Sequence, residues 1–253
     1  MRFGDMTIDF SSLGGNEILA LTAYVVLYLT YYFFSDFPLI KRYRTRFGET
    51  PEDFEASVYF RRTAGFVLLG IVPLMITAAF FERPIGDYGL RLPSLAVFFS
   101  DYGLLTMIPV VLLIGGSLLR SGKSIDLSYY PEVRKKSWTK RRTILNACFW
   151  ALYLLGYEFA LRGMVFFSSL YAFGLWPAIF INSVIYSLIH IFKGPKEAFG
   201  AFFLGVLFCW ITYYSGSFWI AFLIHWAIAV LNDVKAVHAA KTPKENRESE
   251  ASL

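Results

Sequence analysis

Cysteine is rare in this chain: Cys148 and Cys209 are the two examples in 253 residues. They stand far apart, each inside an apolar run, so neither a disulfide framework nor a thiolate zinc cluster is indicated. Both read as small hydrophobes packed between helices. Histidine occurs three times, and no HExxH helix of the zinc-protease type is present. Charged residues make up 17% of the chain and are gathered into gaps between long uncharged runs. No internal repeat or low-complexity tract is evident, which counts against a transporter built from paired repeats. Asp5, Asp9, Gly14 and Gly15, rather than a basic stretch, precede the first apolar run. That run is therefore expected to be retained as an anchor and not removed as a leader.

Apolar surface is what the chain has in excess. It is 56% hydrophobic and 19% aromatic, far beyond the composition of a soluble domain, and the surplus must be accommodated by lipid. A bilayer core about 30 Å thick takes roughly 20 apolar helical residues to cross. That ruler gives seven candidate spans: Asn16 to Phe34, Ala64 to Phe81, Leu104 to Leu119, Thr143 to Leu170, Pro177 to Phe192, Glu197 to Tyr214 and Phe218 to Val234. The expected fold is an all-α, polytopic membrane bundle in one unit, residues 1–236.

The formal charge of +5 sits where a membrane protein keeps it, so no nucleic-acid partner is expected and the lipid bilayer is the partner. Lys41, Arg42, Arg44, Arg46, Arg61 and Arg62 lie in the first gap. Arg120, Lys123, Arg134, Lys135, Lys136, Lys140, Arg141 and Arg142 lie in the third. Placing both gaps inside puts the N-terminus out and the C-terminus in. The segment from Pro38 to Arg62 suits either an interfacial helix or a solvated loop. Residues 237–253 are polar and charged and are expected to be a disordered cytoplasmic tail.

Polar residues inside the spans are informative because each charge costs about 2.5 to 3.5 kcal/mol to insert. The fourth span carries Tyr157, Glu158 and Arg162, the last two spaced four apart and able to pair on one face. The fifth carries Tyr186 and His190, and the seventh carries His225 with Asn232 and Asp233 two turns beyond. An ion pair that only fixes packing is a weak explanation, since apolar substitutes pack at least as well. Intramembrane ionisable groups turn toward a bundle interior, so Glu158, His190 and His225 are expected to converge on one polar pocket. A carboxylate and an imidazole sharing a water can take its proton and make it a nucleophile toward an amide carbonyl. The second imidazole can then donate to the developing oxyanion. The same three groups could instead hold a zinc ion with an open fourth position. The first reading needs no cofactor.

The order of these motifs resembles the CPBP family, which contains CAAX prenyl endopeptidases and bacteriocin-processing or immunity proteins. The resemblance rests on the Glu158–Arg162–Gly163 helix, the Tyr186-to-His190 helix, the run Gly194 to Phe202, Gly205, Gly216 to Trp219 and His225. Gly86 to Pro93 is similar to a segment seen upstream in such proteins. Residues 140–236 carry the CPBP-like core.

The resemblance implies an intramembrane endopeptidase of glutamic type acting on a membrane-proximal or lipidated peptide, with Glu158, His190 and His225 catalytic and Arg162 supporting. Three positions depart from the family pattern. Tyr157 stands where EExxxR has its first glutamate, Tyr186 replaces the Phe of FxxxH, and Ala229 replaces the Asn of HxxxN. Tyr157 could lend a hydroxyl to a developing charge, and Asn232 lies three residues beyond the missing Asn. The competing expectation is a catalytically inactive scaffold or immunity protein that binds a peptide or partner helix. A bacterial inner membrane is the expected location.

Overall fold

Long apolar runs broken by glycine fold, in the computed structural model, into helices whose ends coincide with the glycines. Gly174, Gly194 and Gly216 adopt φ of 79°, 103° and 62°, a region that side-chain-bearing residues avoid. They separate the last four helical segments of the chain. The structure describes residues 14–33, 51–93, 130–133 and 137–250, with scattered positions between 108 and 127. For 51–54 and 240–250 it describes the backbone alone.

Eight α-helices are bounded within these residues. They are α1 (Gly15–Tyr32), α2 (Pro51–Phe66), α3 (Val72–Phe80), α4 (Lys140–Glu158), α5 (Phe166–Phe173), α6 (Leu175–His190), α7 (Pro195–Ser215) and α8 (Trp219–Glu250). No strand occurs among the described residues. Start signals are local: Thr139 Oγ1 accepts from the Arg142 amide at 3.3 Å to cap α4, and Pro195 opens α7, where its missing amide would be unpaired anyway.

Two helices are continued through wide π turns. Val67–Ile71 joins α2 to α3, and Phe159–Val165 joins α4 to α5. The first has a clear cause: Pro73 cannot donate to the carbonyl four residues back, and widening the preceding turn relieves its ring. The second brings the freed backbone a side-chain partner, because Asn182 Nδ2 donates to the Leu161 carbonyl at 2.7 Å. Turns of this kind recur at functional sites.

Among the described residues five helical stretches are long and apolar enough to cross a membrane: Glu55–Phe80, Lys140–Phe173, Leu175–Lys193, Pro195–Ser215 and Trp219–Ala239. They match the second, fourth, fifth, sixth and seventh expected spans. Their outer faces present Met75, Phe180 and Phe199, 64%, 61% and 70% exposed, a surface suited to hydrocarbon and not to water. The protein is an all-α polytopic membrane bundle. The first expected span is present as α1, where Asn16, Glu17 and four tyrosines dilute the apolar surface. The third lies largely outside the described residues, and those described between 108 and 119 are helical.

Two further expectations meet a different outcome. Residues 51–62, assigned to a surface helix or loop, begin α2 and run on into the second span; the rest of that segment lies outside the described residues. The backbone of α8 continues to Glu250, over the stretch expected to be a disordered tail.

Candidate active site

Helix α4 runs through the middle of the bundle and packs against α2, α8 and the first π turn. Its end at Glu158 is the point from which the polar cluster is built. Glu158 and Arg162 are both fully buried, and Arg162 Nε faces Glu158 Oε2 at 3.4 Å. Four positions apart, the two residues stay on one side of the helix through the widened turn.

The arginine is held from α6 as well. Its Nη1 donates to Asn182 Oδ1, which also accepts from Cys209 Sγ at 3.2 Å. Its guanidinium carbon lies 4.7 Å from the Tyr186 ring centroid and 5.5 Å from that of Phe208. A carboxylate, an amide and two aromatic faces together compensate a cation that would be prohibitively costly alone.

From α8, His225 Nδ1 meets Glu158 Oε1 at 2.6 Å. The carboxylate accepts, so the proton is assigned to Nδ1 and the Nε2 lone pair of the neutral ring is left for chemistry. His190 is arranged in the same sense: its Nδ1–H donates to the Tyr186 carbonyl at 2.8 Å. Its ring lies 4.6 Å from that of Tyr186, which in turn lies 6.0 Å from His225.

Tyr157, His190, His225 and Asn232 border one cavity of about 530 Å³. The Tyr157 hydroxyl there is buried without a partner among the described residues. Glu158 does not border that cavity; it lies behind His225. The residues singled out in the sequence are therefore brought together, but the carboxylate reaches the cavity through an imidazole.

The same cavity extends to Arg61, Arg62, Lys193 and Glu132. Arg61 Nη2 and Arg62 Nη2 hold the two oxygens of Glu132 at 3.0 and 2.9 Å. Burial pushes the Glu132 carboxyl up, but the guanidinium groups of Arg62 and Arg61 outweigh it and hold the group below its ordinary 4.5. A lowered native pKa contributes stability above the ordinary value, and that contribution is lost as pH falls through the native one. Thermal unfolding in detergent between pH 7 and pH 3 should therefore show a smaller acid-induced drop in Tm for Glu132→Gln than for the native protein. Equal drops would remove Glu132 as a source of acid sensitivity.

Among the described residues no group of three His, Cys, Asp or Glu side chains is placed to hold an ion, Glu158, His190 and His225 included.

Residues 141–231 match the family model described as Type II CAAX prenyl endopeptidase Rce1-like. This segment belongs to the CPBP family. Neither a curated protein nor a solved structure matches the chain. The CPBP segment contains Tyr157, Glu158, Arg162, His190 and His225, and its family is one of peptidases. With several apolar helices around it, the protein is an integral, multi-pass membrane protein. Ala229, one turn past His225, also borders the cavity; the alanine leaves space where the family pattern has an amide.

Attention to titratable motifs alone misses a second buried network. Asp233 Oδ2 accepts from Asn146 Nδ2 at 2.8 Å and from Trp150 Nε1 at 2.7 Å. Arg62 Nη1 donates to Asn146 Oδ1 at 2.8 Å, and its guanidinium carbon lies 3.8 Å from the Trp150 ring centroid. The available signal was the cost of Asn146 and Asn182 inside apolar spans, which applies to amides as well as to charges.

Proposed function

We propose that the protein is an intramembrane endopeptidase that hydrolyses a peptide bond in a membrane-proximal or lipidated substrate by a water activated at His225. The observation that carries this reading is the 2.6 Å pair of Glu158 and His225 inside the bundle, with the imidazole bordering a cavity it shares with His190. Glu158 fixes the tautomer and orientation of the ring, and His225 Nε2 takes a proton from water. The hydroxide so formed adds to the carbonyl carbon of the scissile amide. His190 Nε2, unprotonated, accepts the water's second hydrogen and positions it. The Tyr157 hydroxyl donates to the oxyanion that develops. His225 then returns its proton to the leaving amine, the C–N bond breaks, and a carboxylic acid and an amine are released. Arg162 balances the charge of Glu158 within an apolar bundle. No cofactor enters this scheme.

The basic gaps and short intervening loops support a bacterial inner membrane as the location, with the N-terminus outside. The test is a comparison of membrane-protein termini in cells carrying the native protein, His225→Ala, or no protein. New termini should appear with the native protein alone; identical termini with His225→Ala would sink the reading. Tyr157 and Ala229, which depart from the family pattern, favour a second reading as a peptide-binding scaffold. That reading expects the same bound partner to co-purify with both forms and no change of termini in either.

A further inference from the structure

Side-chain hydrogen bonds join α4 to α8 at three places. Two form matched rungs, Glu158 with His225 and Trp150 with Asp233, reinforced by Asn146; at the third, Trp226 Nε1 donates to the Ala147 carbonyl at 2.8 Å. Eight residues separate Trp150 from Glu158, and eight separate His225 from Asp233. The two helices are therefore antiparallel with matched rungs about 12 Å apart at 1.5 Å per residue. A slide of one helix by a single residue, about 1.5 Å, breaks both rungs together.

From this geometry we infer that Asp233 is a positioning residue: it fixes the axial register of α8 on α4 that sets His225 Nδ1 against Glu158. The inference rests on the function proposed above for that pair. Asp233 is almost wholly buried, and both of its hydrogen bonds use Oδ2 and run to α4, while Oδ1 has no partner among the described residues. A carboxylate kept only for packing would be poorly used in this way, since apolar side chains of similar volume pack at least as well.

The donors are themselves fixed from a third helix. Arg62 on α2 lies against the Trp150 ring and donates to Asn146, and its Nη2 is 3.9 Å from Asp233 Oδ2. Indole and amide are thus held from α2 as well as from α8. A displacement of about 1 Å in reacting groups costs on the order of a hundredfold in rate, so register is a kinetic quantity here and not only a structural one.

Leu154 and Ala229 lie four residues from each rung, are buried, and both border the cavity. A Leu154→Cys and Ala229→Cys pair therefore reads register directly. Disulfide yield in vesicles, mapped by mass spectrometry, is compared in the native, Asp233→Asn, Asp233→Leu and Trp150→Phe backgrounds. Turnover is measured in the corresponding chains without the added cysteines.

Asp233→Leu should lower the cross-link severalfold and kcat about a hundredfold, with KM changed less than about twofold. Asp233→Asn, which retains an acceptor oxygen, should restore most of both, and Trp150→Phe should shift both in the same direction by less. Native cross-linking and turnover in Asp233→Leu would overturn the inference, as would lost turnover with an unchanged cross-link. If the native protein cuts nothing, the proposed function falls while the cross-link pattern still decides the register.

Discussion

Replacing Glu158 by Gln should lower turnover by about ten-thousandfold, the loss found when a carboxylate that orients a histidine base is amidated. The physical reason is the tautomer. A glutamine amide can donate to His225 Nδ1, which moves the ring proton to Nε2 and removes the lone pair that faces the cavity. His225→Ala should cost about as much, and the double variant little more, because groups that act as a unit are far from additive. Single-turnover cleavage by protein reconstituted in vesicles measures this directly. Retention of a tenth or more of the native rate by Glu158→Gln would rule out the orienting role.

Gly156→Leu should be the most damaging change away from the polar groups. The two π-turned helices cross with their backbones almost in contact: a Cβ on Gly156 would stand 2.9 Å from the Gly70 nitrogen, and one on Gly70 would stand 2.8 Å from the Gly156 Cα. A leucine there must push α2 and α4 apart, and overpacking of this kind costs about 1 to 3 kcal/mol or more. Because Gly156 precedes Glu158 by two residues, the displacement is delivered to the site itself. We expect a lower Tm in detergent together with a loss of turnover of at least about a hundredfold. A variant with native Tm and native rate would show that the close crossing is dispensable.

The sequence carried the fold at the level of spans because hydrocarbon imposes a long apolar run that composition reveals directly. Glu158 and Arg162, four apart, could be paired on paper and are paired at 3.4 Å. What the helical wheel could not supply was the widened turn after Glu158, since π geometry depends on how Asn182 and the neighbouring glycines meet α4 and not on any periodic signal. The wheel also gave no depth along the line of sight, so the carboxylate was expected at a shared water, whereas it stands behind an imidazole. Asp233 was visible as a polar residue near His225, but its partners Asn146, Trp150 and Arg62 are 87, 83 and 171 positions away. Contacts of such separation leave no trace in a local pattern.

The shape of the cavity carries one more consequence. A hydrolase spends one water for every bond it cuts, and hydrocarbon supplies none. The void that reaches His225 is also bordered by Glu132 and Lys193, at or beyond the ends of the spanning helices, and so offers water a way to the imidazole. Bulk added at Ala229, which borders the same void, would narrow it and dry the reaction.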